Sequence, residues 1–168
     1  DDLPTIPVDN YRKGIQLTKC KYTLPDNKQL AGIKHLNLLD QVMARGEWDT
    51  EFQEGVMFAD DGRVVEGTMT NIFIVSNQKW LTPKLEKSGI LCVMRQWVMR
   101  NSFHADIECV AKDIQLPELQ QAKSIFVCNS VVGIWPVTKF DGKDYPVSEA
   151  VATIMREANS SLTKLYPV

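Results

Sequence analysis

Apolar residues change their period near Lys34: before it they fall at about every second position, after it at every third or fourth. Over residues 11–23, Ile15, Leu17, Cys20 and Tyr22 roughly alternate with polar residues, which predicts a strand, and Pro25-Asp26-Asn27 then predicts a turn. Leu36, Leu39, Val42 and Met43 follow at helical spacing, so residues 35–45 are expected to form an amphipathic helix ending near Gly46, with Lys34 at its amino-terminal edge. One chain that carries both periods needs a layered sheet-and-helix architecture, because each element has a face to bury against the other kind.

Further strands and helices follow along the chain. Residues 54–59 and 64–65 read as two strands joined by Asp60-Asp61-Gly62, a hairpin signal because glycine accepts positive φ at little cost. Residues 71–75 and 80–82 are further strands, 83–89 a loop, and 93–103 a helix with Val93, Trp97 and Val98 on one side. Residues 107–110 and 124–128 are strands separated by a short helical piece at 117–122, and 148–162 is a closing helix. The fold class expected is α/β, in the sense of mixed α and β, with one domain over residues 11–168. Residues 1–10, punctuated by Pro4 and Pro7, read as an interdomain strap, and a smaller domain is expected upstream of Asp1.

At 168 residues and 44% hydrophobic content the chain can bury a sizeable core, and a net charge of -2 offers no basic field for nucleic acid. No apolar run approaches the roughly 18 residues that span a bilayer, so no membrane partner is expected and the cytoplasm is the default location. Cys20, Cys92, Cys109 and Cys128 lack metal-ligand spacing; reduced thiols and no metal are expected. The charged run at 84–87 reads as solvated.

Four stretches could carry chemistry. Lys34 stands between Ile33 and a leucine-rich segment; an ordinary lysine is solvated, but one desolvated at a cleft has a free amine that can condense with a carbonyl. Residues 66–71, Glu-Gly-Thr-Met-Thr-Asn, are small and hydroxyl-rich, and their bland reading is a bulge with Glu66 in water. Residues 88–95 lead from a loop into a helix whose first amides could receive an anion, although many such loops bind nothing. Cys128-Asn129-Ser130 ends a strand with groups that either cap a turn or bond a phosphate. His35 and His104 read as structural.

Taken in order, AGIKHLNLLDQV, VVEGTMTNIFIV, LTPKLEKSGILCVMRQWV and VCNSVVGIWPV resemble the fold-type IV pyridoxal-phosphate enzymes over nearly the whole chain. That group contains aminodeoxychorismate lyases, D-amino-acid aminotransferases and branched-chain aminotransferases. The resemblance implies the group's large domain, a mixed sheet forming a partial barrel flanked by helices. It implies pyridoxal 5'-phosphate as cofactor, carried on Lys34, with Glu66 against the pyridine nitrogen. It further implies Ile90 on the ring face, the amides of Val93 and Met94 on the phosphate, and Asn71, Asn129 and Ser130 completing the cofactor site.

Within the group, Met94-Arg95-Gln96 and the Asn-Ser followed by Trp-Pro-Val are similar to the lyases, which release pyruvate from aminodeoxychorismate to leave 4-aminobenzoate for folate synthesis. Lys34 would then serve as anchor, base and acid. Leu38 stands where many lyases carry arginine, and Cys92 where glycine is usual. An aminotransferase using the same lysine is the alternative, and a non-catalytic relative acting as an interaction module is a second. A homodimer is expected because active sites in the group lie near the subunit interface.

Overall fold

The computed structural model describes residues 6–161. The hairpin forms where the sequence predicts it: Gly62 takes φ +82°, its N–H bonds Ala59 O at 2.9 Å, and β2 (Glu54–Ala59) turns into antiparallel β3 (Val64–Gly67). β4 (Asn71–Ser76) and β5 (Lys79–Pro83) make a second hairpin across Asn77 and Gln78, both at positive φ. β1 (Ile15–Leu24), β6 (Glu108–Lys112), β7 (Ser124–Asn129), β8 (Gly133–Phe140) and β9 (Lys143–Asp144) complete the strands among the described residues.

They form one sheet in the order β3-β2-β1-β8-β7-β4-β5-β6, with β9 attached to β8. The β1–β2, β1–β8 and β5–β6 pairs are parallel and the rest antiparallel. The sheet curls: Val64 N donates to Ile114 O at 2.8 Å, so β3, at one end, meets the chain leaving β6, at the other. The result is the mixed α/β partial barrel that the resemblance implies. β2 is buried at every position, and β4 and β7 at all but the last, which is why they do not read as alternations.

The larger core centres on Phe73, Trp80 and Phe126, the two phenylalanine rings stacked at 4.8 Å, and is covered by α3 (Val93–Asn101) and α5 (Glu149–Ser161). α5 buries Val151, Ile154, Met155 and Ala158, the spacing of one helical stripe. A smaller cluster of Cys20, Leu24, Ala44, Trp48, Met57, Val65 and Leu85 lies under α2 (Leu39–Arg45). The short α4 (Leu116–Gln120) takes the place of the helical piece expected at 117–122. None of the described helices is long and apolar enough to cross a membrane. All four cysteines are free thiols, and burial pushes those of Cys20 and Cys109 up to about 12.

Several expectations are corrected. Residues 9–12 form a helical turn, α1 (Asp9–Arg12), where the sequence predicts the end of a strap and the start of a strand. Gly14, at φ +75° and tight against Pro136 O and Thr138, holds the corner from which β1 departs. The predicted turn moves to residues 28–31, with Asn27 O accepting from Leu30 N and Ala31 N. α2 starts at Leu39, not at residue 35. Gly32, at φ +80°, is drawn into a bridge with Ile90, and the segment behind it stays irregular.

On α3 the buried face is Met94, Arg95 and Val98, whereas Val93 is exposed. In the run at 84–87, Leu85 is buried between charged neighbours, and Lys87 Nζ lies 3.9 Å from an Asp26 carboxylate oxygen. β8 was not predicted; its Pro136 lies one residue before pairing with β1 begins, where a missing N–H costs no bond on that side. Residues 1–5 of the strap and Leu162 of the closing helix lie outside the described residues.

Candidate active site

Glu66 occupies the third position of β3 and is 3% exposed. Its Oε2 accepts Ile90 N at 2.8 Å and Asn71 Nδ2 at 3.3 Å, and its Oε1 is approached by Gln41 Nε2 at 3.5 Å. Burial pushes the carboxyl up from 4.5 to about 7. The Ile90 and Gln41 hydrogen bonds and the Lys34 charge oppose that rise, and the Glu54 charge adds to it. Glu66 is therefore no solvated bulge residue but a buried acid that meets only neutral donors.

That burial makes the fold pH-dependent. Between pH 4.5 and about 7 the folded chain binds the Glu66 proton more tightly than the unfolded chain does, so stability falls as pH rises through this window. At 1.36 kcal/mol per pH unit the whole effect is about 3 kcal/mol. Glu66→Gln should remove this slope, so that urea unfolding at pH 4 and pH 8 shows the wild type losing about 3 kcal/mol relative to the variant. Parallel pH profiles for the two proteins would contradict the assignment.

Asn71, first residue of β4, locks the neighbouring loop to the same carboxylate. Its Nδ2 also donates to Ile90 O at 2.9 Å, and its Oδ1 accepts Cys92 N at 3.2 Å. Two side chains thus fix residues 90–92, and these deliver the chain into α3. The N-cap residue Cys92 makes no side-chain capping bond, so the amides of Val93 and Met94 begin the helix uncapped and within its positive end.

Ser130 lies beside that helix start, its Oγ 3.6 Å from Cys92 Sγ. Asn129 is otherwise engaged: Nδ2 donates to Met69 O at 2.9 Å, and Oδ1 accepts Val131 N and Val132 N at 2.8 and 2.7 Å. Both ends of its side chain hold the loops around the site in place.

Glu54 was read only as the start of a strand, yet it organises the small-residue stretch. Buried to 1% exposure, it accepts Thr68 N at 2.9 Å, Thr68 Oγ1 at 2.5 Å, Met69 N at 3.0 Å and Thr70 Oγ1 at 2.9 Å. The hydroxyls of residues 68 and 70 were the signal: a loop this rich in donors needs a buried acceptor.

Lys34 lies on the exposed loop between the Gly32–Ile90 bridge and α2. It is not at a helix edge and not desolvated, but Gly32 N bonds Gly89 O at 2.8 Å and Leu91 N bonds Gly32 O at 3.2 Å, which ties this loop to residues 89–91. A cleft of about 210 Å³ beside it is lined by His35, Gln41, Ser88, Gly89 and Ile90, among others, and His35 Nδ1 and Ser88 Oγ in its wall are buried without a hydrogen-bond partner. His104 Nε2 stands 3.8 Å from Glu157, away from the site. Glu66, Asn71, Ile90, Cys92 and the start of α3 are thus one bonded unit, with Lys34 on the loop laced to it.

The chain is similar to known proteins over most of its length. The aminodeoxychorismate lyase of Vibrio harveyi is 32% identical over 151 residues, which are 89% of this chain and 56% of that one. The D-alanine aminotransferase of Bacillus licheniformis is 25% identical over 170 residues, 95% of this chain and 59% of that one. The crystal structure of 4-amino-4-deoxychorismate lyase from Pseudomonas aeruginosa superposes with a TM-score of 0.89 at 33% identity, over 100% of this chain and 61% of that one. The chain spans about half the length of the curated relatives it matches. The amino-transferase class IV family matches residues 3–140, which include every candidate site residue, and the chain belongs to that family.

Proposed function

We propose that the chain is the cofactor-bearing part of a 4-amino-4-deoxychorismate lyase, which binds pyridoxal 5'-phosphate and releases pyruvate from aminodeoxychorismate to give 4-aminobenzoate. The observation that carries the reading is the Glu66 carboxylate, buried among neutral donors and bonded to the loop that starts α3. A buried carboxylate hydrogen-bonded to no cation gains most from a cationic N–H, and uncapped first-turn amides gain most from a dianion. A pyridinium nitrogen and a phosphate on one rigid ring meet both needs, so the residues present fit the group.

Bound pyridoxal 5'-phosphate would supply an electron sink for the pair released at the substrate carbon. Glu66 would hold the proton on the ring nitrogen. The amides of Val93 and Met94 would bind the phosphate with Ser130 beside them, Ile90 would face the ring, and Asn71 would keep the loop at its distance from Glu66. Lys34 Nζ would hold the cofactor's aldehyde carbon and, freed when the substrate's amine takes its place there, would remove a proton from the substrate ring and return one to the departing enol. The lyase is favoured within the family by the extent of the likeness, 32–33% identity over 89–100% of this chain, where a putative branched-chain aminotransferase of Methanocaldococcus jannaschii reaches 32% over 71%.

The aminotransferase reading retains support from the likeness to the D-alanine aminotransferase. The two separate on one assay. Cofactor-loaded protein given aminodeoxychorismate and no keto acid should form 4-aminobenzoate and pyruvate over many turnovers; a strict requirement for a keto acid, with ping-pong kinetics, would establish transamination.

A homodimer belongs to the same proposal. Leu36 in the loop before α2, and Leu39, Val42 and Met43 on α2, are each more than half exposed, so these apolar side chains face outward and not into the core.

A further inference from the structure

Glu66 has two oxygens in unequal surroundings. Oε2 is engaged by Ile90 N at 2.8 Å and Asn71 Nδ2 at 3.3 Å, both at the α3 side of the site. Oε1 has one protein neighbour, Gln41 Nε2, and at 3.5 Å that contact leaves its lone pairs largely available. Gln41 belongs to α2, the element that continues directly from the Lys34 loop. It is the one hydrogen bond described between that segment and Glu66.

From this inequality we propose that Oε1 is the oxygen that meets the ring nitrogen of a bound pyridoxal 5'-phosphate, and that Gln41 is the positioning residue that turns it there. The inference rests on the functional reading above and adds a residue to it. The charged groups around Glu66 are few: Glu54 on β2 raises its proton affinity and Lys34 on the facing loop lowers it. Asp40, next to Gln41, is engaged by Tyr22 Oη at 2.7 Å. A neutral amide donor from α2 therefore orients Oε1 without adding charge, and it links the position of the carboxylate to the helix that follows the anchoring lysine.

The test is a double-mutant cycle on the 168-residue chain, with wild type, Gln41→Leu, Glu66→Gln and the double variant. Dissociation constants are measured for pyridoxal 5'-phosphate and for its analogue with carbon in place of the ring nitrogen, and borohydride trapping and melting temperature are recorded for each protein. Gln41→Leu should remain trappable but bind pyridoxal 5'-phosphate about tenfold more weakly, and should bind the carbon analogue within about twofold of wild type. In the Glu66→Gln background the Gln41→Leu loss should shrink to about twofold or less, whereas a purely structural role would weaken both ligands equally in both backgrounds. Equal weakening, or none, overturns the role of Gln41 while the cofactor reading stands. A wild-type chain that traps no cofactor overturns both.

Discussion

A Lys34→Ala chain should keep its fold and lose its chemistry. Lys34 is exposed, so its replacement should change unfolding free energy by less than about 0.5 kcal/mol. Lysine would be at once the anchor and the group that moves protons, so turnover of aminodeoxychorismate in a complete, cofactor-supplied enzyme should fall on the order of 10³-fold or more. That loss should not be recovered by supplying more pyridoxal 5'-phosphate. A variant within tenfold of wild type would remove Lys34 from the chemistry, and an equal loss of stability would recast it as a structural residue.

The largest loss of stability is expected at Glu54, which touches no proposed ligand. Its carboxylate receives four bonds from residues 68–70, and all four donors lie in part-buried or buried settings. Alanine would strand them at once, and removing a buried acceptor from charge-assisted bonds costs about 3–5 kcal/mol. Gly67 is already tight against Glu54 and Thr70, so the loop has little room to find other partners. Urea unfolding of Glu54→Ala should show that loss at neutral pH, with weaker cofactor binding following from the displaced strand ends of Glu66 and Asn71. A cost under 1 kcal/mol would mean that the loop is held by something else.

What could be read in the sequence was what depends on neighbours along the chain. The 60–62 turn, the buried runs of β2, β4 and β7, and the stripe on α5 all announce themselves within a dozen residues. Expectations failed where a distant partner decided the outcome. Leu36, Leu39, Val42 and Met43 have the spacing of a core helix, but the bridge between Gly32 and Ile90 delays α2 and the stripe faces outward. Val93 fits a helical stripe by spacing, yet β7 lies on the side of Met94 and Val98.

The site divides the same way. The candidate residues were named from a resemblance, whereas what makes Glu66 a buried acid is contact with Ile90 and Asn71, 24 and 5 residues away. Glu54 escaped notice because, beyond the adjacent Gly55 N–H, its partners begin 14 residues later and nothing near it in sequence is unusual. Gln41 sits between Asp40 and Val42 on α2, and only folding turns it toward Glu66.

One measurement decides whether a single amine carries the cofactor. The chain is loaded with pyridoxal 5'-phosphate, reduced with borohydride, digested, and the peptides are mapped by mass. The phosphopyridoxyl group should be found on Lys34 alone at one equivalent per chain, with no labelled peptide from Lys34→Ala. Label spread over several surface lysines, or one equivalent bound at a different residue, would contradict the placement of the cofactor between Lys34 and Glu66.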